Sequence, residues 1–315
     1  MQSIFACFRK WAASNQTNQV NHMKNNNSIK TVSSQALLKA WLWVALGTAC
    51  LLQPPARVSA QTNNLPPAPS GYSWQLNPQL SDDFAGSQLD RTKWNPYHPS
   101  WGGRQPSRFE MQNVWQTNGA LLIHNQTTVT NINQVVDPTN NFWVGAGCLS
   151  SVQPVASYGY YEAKIKASRL SMTSGFWLQG AYSEIDVVEL IGAAIVNTNY
   201  GMFMPMNSHY FANGWGTDKS TPINWLMPSG AADEFHTYGV WWKDPTNVWF
   251  YHNGTNVAKI TTGGQFNEPM YLYFDSEVFS WMGLPTPASL QQEQTNTMYV
   301  DWVHAWQLVP NSPGN

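Results

Sequence analysis

Residues 237–261 read TYGVWWKDPTNVWFYHNGTNVAKIT, and this stretch decides the fold. Residues 237–242 and 248–252 are short aromatic and β-branched runs, which are typical of β-strands. An Asp-Pro-Thr-Asn segment separates the two runs, and an Asn-Gly pair follows before a third run at residues 257–261. Both separators are turn formers. The pattern therefore predicts an antiparallel hairpin followed by a third neighbouring strand.

Alternating runs of the same kind recur along the rest of the chain. Residues 160–167 (YYEAKIKA) alternate apolar and charged side chains, and residues 297–308 (TMYVDWVHAWQL) are long enough for a final central strand. A period of two places the two sets in residues 160–167 on opposite faces: Tyr161, Ala163, Ile165 and Ala167 on one, and Glu162, Lys164 and Lys166 on the other. Because no long helical pattern separates these runs, the sequence predicts an all-β sandwich of two antiparallel sheets, preferably a jelly roll.

The N-terminal segment has the layout of a secretory leader. Lysines precede an apolar run at residues 40–52, and a small-x-small signature follows at residues 58–60 (VSA). The alternative is lipoprotein processing before Cys50, although Gly47 stands where that signal normally has Leu. The expected product is a secreted protein, with a periplasmic or outer-surface lipoprotein as the alternative. The predicted organisation is a signal peptide at 1–60, a linker at 61–72 and one catalytic domain at 73–310.

Charge and tryptophan content narrow the class of ligand. Six of the 16 basic residues and none of the 18 acidic ones precede Gln61, so cleavage there would leave ten basic residues against 18, a formal net charge of −8. Such a chain is a poor general partner for nucleic acid or a strongly anionic polymer. The 17 tryptophans suit either a sandwich core or stacking on the flat faces of sugar rings. With no dimerisation signal and no membrane span expected, a monomer is the default.

Cysteine usage excludes an internal disulfide in the processed chain. Only Cys148 of the three cysteines lies after residue 60. No neighbouring residue marks it as an activated thiol, so we expect a buried apolar residue and not a nucleophile.

The residues that carry chemistry are concentrated in residues 176–189 (FWLQGAYSEIDVVE). Three acids occur within six positions of a β-rich run, although strands tolerate Asp and Glu poorly. Glu184 and Asp186 face the same side of a strand, whereas Glu189 faces the other side unless one β-bulge intervenes near Val187 and Val188. With that bulge, the three carboxylates share one face.

Paired carboxylates on one face suit the retaining hydrolysis of a glycosidic bond. Glu184 would attack the anomeric carbon, Glu189 would protonate the leaving oxygen and later activate water, and Asp186 would orient Glu184. Three close carboxylates cannot ionise independently, so one should have a raised pKa and stay protonated near neutral pH. The alternatives are a solvated acidic face, which the neighbouring Ile and Val residues disfavour, and a cation site, for which turn oxygens are more usual.

The string EIDVVE at residues 184–189 resembles the E-x-D-x-x-E signature of glycoside hydrolase family 16. The flanking segments GFW at 175–177, YGYYEA at 158–163, FHTYGVWW at 235–242 and TMYVDWV at 297–303 are also similar to that family. The resemblance covers most of the chain from about residue 74 to residue 307. It implies a jelly roll whose concave sheet forms an open substrate cleft, with Glu184 as nucleophile and Glu189 as acid/base. The segments WWKD and DSEVF resemble the branch of agarases, porphyranases and carrageenases, while laminarinases share the bulge.

The same resemblance suggests which side chains contact the sugar. The candidates are Trp101, Arg104, Trp177, Gln179, His209, Glu277 and Trp281. Trp177 resembles the family's stacking platform, and Trp101 lies in a Gly-rich loop where agarases and porphyranases place a tryptophan. Core packing for Trp177, a solvated charge for Arg104, and structural roles for His209 and Glu277 stay open. Porphyran-cutting relatives tend to have a basic residue at the position of Gln179, so its neutral amide favours an unsulfated sugar.

These observations together predict a β-agarase that cleaves agarose-type galactan from red algae. The alternatives are a β-porphyranase or carrageenase acting on sulfated galactan, a galactan-binding module without catalysis, and a polysaccharide lyase. A lyase would need a basic cleft, which the acidic balance opposes. No cofactor and no catalytic metal are expected, and a structural calcium is optional. The resemblance would place that ion at Asp301, beside carbonyls near Asp83 and Gly119.

Overall fold

The computed structural model describes residues 65–312 with the exception of residue 118, and the chain forms two large antiparallel sheets there. The outer sheet contains β1 (Tyr72–Leu76), β4 (Val114–Thr117), β5 (Ala120–His124), β8 (Gly159–Lys166), β14 (His236–Asp244), β15 (Asn247–His252), β16 (Thr255–Thr261) and β18 (Thr297–Pro310). The cleft sheet contains β2 (Trp94–Asn95), β7 (Cys148–Ser151), β9 (Thr173–Gln179), β10 (Ser183–Ile191), β11 (Phe203–Tyr210), β12 (Lys219–Ser220), β13 (Ile223–Leu226) and β17 (Tyr271–Asp275). Two further strands, β3 (Ser107–Phe109) and β6 (Val144–Ala146), pair in parallel.

Helices are short in the described part of the chain. One α-helical turn, α1, spans Pro287–Leu290 and begins with a Thr286 capping box. Single 3₁₀ turns lie at Met111–Asn113, Ile132–Gln134, Tyr200–Met202, Trp215–Thr217 and Ser280–Met282. The all-β sandwich predicted from the sequence is therefore confirmed. No helix in residues 65–312 is long and apolar enough to cross a membrane.

The strand order explains how distant segments meet. The outer sheet runs β16-β15-β14-β8-β18-β5-β4, with β1 also paired to β18, and the cleft sheet runs β12-β11-β10-β9-β17-β7-β2. The predicted hairpin is β14–β15, with Val240 opposite Phe250, and β16 pairs next to it. The final strand β18 lies centrally, between β5 and β8.

One continuous core fills the space between the two sheets. As predicted, Tyr161, Ala163, Ile165 and Ala167 all belong to it. The face of β10 that does not carry the acidic side chains contributes Ile185, Val187, Val188 and Leu190 to the same core. Because one face of each sheet is committed to this core, the register of each strand is fixed, and the polar face of β10 must point away from the core.

A β-bulge in β10 sets the direction of its acidic side chains. Asp186 pairs with Trp177 and Val188 with Phe176, which leaves Val187 as the extra residue. The bulge predicted near Val187 and Val188 is thus confirmed. It returns Glu189 to the face of Glu184 and Asp186.

Two further expectations concern the cysteines and the leader. Cys148 is a free thiol and fully buried, as predicted, and burial raises its pKa well above the usual value. The predicted signal peptide and residues 61–64 of the predicted linker lie outside the described residues.

Candidate active site

A cavity of about 460 Å³ opens over the middle of the cleft sheet. Its walls include Glu184, Asp186 and Glu189 on β10, so the structure brings the three predicted carboxylates together on one surface. The neighbouring strand β9 places Gln179, Trp177 and Gly175 directly opposite them in the register. The floor of the cleft is therefore built from two adjacent strands whose exposed faces the bulge has aligned.

Glu184 is held by its neighbour across the strand pair. The side-chain amide of Gln179 donates a hydrogen bond to Glu184 Oε2. Burial, and then the charge of Asp186, raise the pKa of Glu184 well above its usual value. A nucleophilic carboxylate must be ionised to react, so nearby donors and positive charge have to stabilise it.

Glu189 has the properties of a general acid. Burial, followed by repulsion from Asp186 and Glu277, raises its pKa from 4.5 to about 8. A carboxyl group with this pKa is mostly protonated at neutral pH and can donate its proton to a leaving oxygen. The raised pKa that the sequence predicted for one member of the trio is found at both glutamates.

Asp186 lies beside an imidazole that the strand pairing supplies. His209 on β11 stands opposite Glu184 in the register, and its Nε2 lies 3.2 Å from Asp186 Oδ2. Its Nδ1 lies 2.7 Å from Asp218 Oδ2. Burial would lower the pKa of His209, but Asp186 and then Asp218 raise it to about 10. His209, a predicted substrate contact, thus contacts the carboxylates themselves.

Trp177 forms the apolar floor of the cavity. Its ring stacks on Tyr273, with centroids 4.2 Å apart, and only 8% of the residue is exposed. One side of the ring packs on Tyr273 while Trp177 also lines the cavity, so the core packing is found and the sugar stacking stays a prediction. Stacking on a neighbouring ring restricts its orientation, which preorganises the surface for a ligand.

The Trp101 loop forms one end of the cleft together with Arg104 and Glu277. Arg104 Nε donates to Glu277 Oε2 over 3.3 Å, and its guanidinium lies 5.9 Å from the centre of the Trp101 ring. All three residues line the cavity, as the sequence suggested. Trp281 does not line it; its ring stacks on Phe279 and lies 5.6 Å from the Arg104 guanidinium.

Glu277 and Asp275 add two buried carboxyl groups beside Glu189. Burial raises the pKa of Asp275 to about 7, and burial together with Asp275 raises that of Glu277 to about 8. Glu277 Oε1 has no hydrogen-bond partner among the described residues. The cleft therefore holds five carboxyl groups but, besides His209, only Arg104 as a cation among its lining residues.

Several residues of the site were not predicted, among them His98, Trp215, Asp218 and Asp275. His98 Nδ1 accepts the backbone N–H groups of Ser100 and Trp101, so its proton is on Nε2, which has no partner among the described residues. Asp275 begins the DSEVF segment that resembles the family, but nothing in the sequence marks it as a site residue. His98, Trp215 and Asp218 reach the site through loops, and no local sequence pattern marks them.

Three side chains of the site lie close enough together to be considered as metal ligands. Glu184, Asp186 and His209 each offer one atom within 4.8 Å of the others, a spacing that suits a cation. However, His209 already contacts Asp218 and Asn207 through its two ring nitrogens, so we assign these groups to catalysis and not to a metal.

The residues around Asp301 do not fit a calcium ion. Lys164 Nζ lies 2.7 Å from Asp301 Oδ2, so an ammonium group already occupies the neighbourhood of the one carboxylate that the resemblance would supply. Asp83 Oδ1 instead contacts His304 Nε2 at 2.7 Å. Calcium normally takes six to eight oxygen ligands, whereas these two carboxylates are paired with a lysine and a histidine.

Comparisons with known proteins agree with this geometry. The family profile described as "Beta-porphyranase A-D, GH16 domain" matches residues 74–308. Beta-porphyranase B from Phocaeicola plebeius is 33% identical over 286 residues, covering 78% of this chain and 88% of that protein. An extracellular agarase from Streptomyces coelicolor is 29% identical, covering 88% of this chain and 100% of that protein.

Solved structures include close matches to the fold. The crystal structure of the beta-porphyranase BpGH16B from Bacteroides plebeius superposes with a TM-score of 0.69 at 31% identity, covering 79% of this chain and 97% of that one. The range that the family profile matches, residues 74–308, includes the bulged strand with its three carboxylates. The chain therefore belongs to glycoside hydrolase family 16, in its porphyranase and agarase branch, and is a glycoside hydrolase.

Proposed function

We propose that this chain is a secreted, endo-acting, retaining hydrolase that cleaves β-1,4 linkages in an agarose-type galactan of red algae. The observation that carries the proposal is the placement of Glu184 and Glu189 on one face of a single bulged strand, above a tryptophan floor. The apolar run and the small-x-small signature before residue 61 support secretion, as does the similarity to an extracellular agarase.

The proposed chemistry is a double displacement. Ionised Glu184 attacks the anomeric carbon while Glu189 gives its proton to the departing glycosidic oxygen, which breaks the glycosidic bond and forms a glycosyl ester on Glu184. Glu189, now ionised, takes a proton from water, whose oxygen attacks the same carbon and releases Glu184. Since the two attacks come from opposite faces in turn, the product keeps the anomeric configuration of the substrate.

Proposed sugar contacts on both sides of β10 support endo-action. Trp101 and Arg104 lie towards β17 and β7, whereas His209 and Trp215 lie on or after β11. A polymer that crosses the strands would therefore contact the protein on both sides of the bond that is cleaved.

Agarose is favoured by the acidic balance of the chain, which opposes a heavily sulfated polymer. Gln179 supports the same substrate less directly. Its amide donates to Glu184 and is thus partly committed to the nucleophile. Global charge and the neutral amide are therefore general arguments, and a local cation can outweigh them.

Porphyran is a second candidate because Arg104 supplies such a cation. Its Nε pairs with Glu277, while its two terminal nitrogens have no hydrogen-bond partner among the described residues. A guanidinium with free terminal nitrogens can bind a sulfate through two parallel hydrogen bonds. The similarity to proteins named as beta-porphyranases supports this candidate as well.

The deciding experiment measures reducing ends released from agarose, porphyran, κ-carrageenan and laminarin by the purified chain. The Glu189→Gln variant serves as the blank, because it keeps the shape of the site without its acid. Release from agarose alone would support the first candidate, and release mainly from porphyran, lost in Arg104→Gln, would support the second. Retained binding without release from any polymer would contradict hydrolysis and favour a binding module.

A further inference from the structure

His209 lies between two aspartates, only one of which is on the catalytic strand. Its Nε2 faces Asp186, whereas its Nδ1 lies 2.7 Å from Asp218 Oδ2. Asp218 follows the 3₁₀ turn Trp215–Thr217 and directly precedes β12. Since β12 pairs back onto β11, with Ser220 opposite His209, the sheet itself places Asp218 beside the imidazole.

Asn207 shows which ring nitrogen carries the fixed proton. Its Oδ1 accepts the backbone N–H groups of Ser208 at 2.9 Å and Thr221 at 3.0 Å. These two contacts orient the amide so that its Nδ2 lies 2.8 Å from His209 Nε2. Because an amide nitrogen only donates, the contact favours an acceptor at Nε2 and a proton on Nδ1, directed at Asp218.

The charges around the ring favour a second state. Asp186 and Glu184 on β10 and Asp218 before β12 all face His209, and together they stabilise an imidazolium with a second proton on Nε2. The neutral and charged rings differ only in whether His209 Nε2 carries a proton. In both states the Nδ1–H group donates to Asp218, so the role of Asp218 does not depend on which state prevails.

We propose that Asp218 is a positioning residue of the hydrolysis, which fixes the His209 ring through Nδ1–H so that the imidazole stays directed at Asp186, beside Glu184. The inference rests on the proposed roles of Glu184 and Glu189. The charge of Asp186 raises the pKa of Glu184 and that of His209 lowers it, so a misplaced imidazole would favour a protonated, unreactive Glu184. Asp218 acts at a distance from the sugar, through the imidazole alone.

The first test compares the full chain with Asp218→Asn, which keeps the size of the side chain and removes its charge. We expect the imidazole nitrogen resonances of His209, followed by NMR against pH, to titrate at lower pH in the variant. The value of kcat should fall about tenfold with KM unchanged, and Asp218→Glu should restore part of it. An unchanged titration of His209 would overturn the proposal even if no polymer were cleaved, because this readout needs no substrate.

A double-mutant cycle separates positioning from a general loss of structure. If Asp218 acts through His209, the double variant His209→Gln/Asp218→Asn should have the same kcat as His209→Gln alone. Multiplied losses would overturn the proposal, since Asp218 would then act by another route. Asp233→Asn is the matched control, because Asp233 forms an exposed ion pair with Arg169 outside the residues that line the cleft. It should leave the titration of His209 and kcat unchanged.

Discussion

At the scale of single residues, the site contains more buried and half-buried carboxyl groups than can be ionised at the same time. Glu184, Asp186, Glu189, Asp275 and Glu277 line one cavity, and the pKa values of Glu184 and Glu189 are raised, chiefly by burial. Burial makes each extra negative charge costly, so protons stay in the site at neutral pH. The division of roles between Glu184 and Glu189 then depends on their different partners.

The nucleophile assignment leads to a chemical rescue prediction. Glu184→Ala should lose nearly all hydrolysis, because it removes the carboxylate that would form the glycosyl ester. Azide can enter the space and attack the anomeric carbon once, which should restore turnover and give a glycosyl azide of inverted configuration. The product is identified by NMR of its anomeric proton. Near-normal turnover in the folded variant without azide would contradict the assignment of Glu184.

The acid assignment leads to a prediction for the pH profile. Glu189 must be protonated to act, so kcat/KM should fall as pH rises through its pKa of about 8. Since the negative charge of Glu277 is one cause of that raised pKa, Glu277→Gln should lower it and move the basic limb to lower pH. The profile is measured with a soluble oligosaccharide, and Glu293→Gln, an exposed change, serves as the control. A basic limb unchanged in Glu277→Gln would show that another group sets it.

At the scale of elements, the sequence was informative where chemistry follows from one strand. The alternation around Glu184 and Asp186, with a single bulge, was sufficient to align Glu189. Asp218 could not be found in this way, because its contact to His209 depends on the pairing of β11 with β12. Trp215 and His98 likewise enter the cleft from loops, whose paths depend on long-range packing and not on local periodicity.

A prediction at this scale concerns Glu162, which is buried on β8 against the hydroxyl of Tyr160. Burial raises its pKa from 4.5 to about 7. A folded-state pKa above the unfolded one means that Glu162 favours the folded state at low pH and costs stability as pH rises from about 4.5 through 7. At pH 8 the free energy of unfolding of Glu162→Gln, measured with urea, should therefore exceed that of wild type by up to about 3 kcal/mol. At pH 4.5 the difference between the two proteins should be much smaller.

The control for this comparison is Glu293→Gln, because Glu293 is exposed. The difference between wild type and Glu162→Gln isolates one group, since the cleft carboxyls contribute equally to both proteins. An equal difference at both pH values would contradict an ionisable, buried Glu162.

A second prediction at this scale concerns the ion pair between β8 and β18. Lys164 Nζ already supplies positive charge to Asp301, so a calcium ion is not needed there. We expect the Tm of the chain to be the same with a chelator as with millimolar calcium. Lys164→Met removes the ammonium group and is therefore the informative variant. A Tm that depends on calcium in this variant, and not in the wild-type chain, would support the interpretation that Lys164 takes the place of the ion. A calcium-dependent rise in the Tm of the wild-type chain would contradict it.

At the scale of the whole molecule, the sandwich turns one sheet into a binding surface that runs across its strands. Buried groups from β9, β10 and β17 meet in the centre of the cleft sheet, and loops carry Trp101 and Trp215 on opposite sides of β10. The core between the sheets fixes the spacing of these groups, because each strand commits its other face to that core. The proposed catalytic groups thus lie on strands and the proposed outer contacts on loops.

Trp215 should determine how strongly the enzyme prefers long chains. The residue is 55% exposed. One face of its ring stacks on Phe211, with the ring centroids 3.9 Å apart, which leaves the other face for a sugar. Trp215→Ala should raise KM for long galactan oligosaccharides about tenfold, or ~1.4 kcal/mol, with little change in kcat. Oligosaccharides too short to reach past His209 should be cleaved with unchanged KM.

The matched control is Trp115→Ala, because Trp115 is partly exposed on β4 of the outer sheet, away from the cleft. A long-chain defect in Trp215→Ala and not in Trp115→Ala would establish a sugar contact on the β11 side of the cleaved bond. If neither variant changed the KM for long chains, binding would depend on the Trp101 side of the cleft alone. Endo-action would then have to be explained without a contact from the loop after β11, since only one side of β10 would hold the polymer.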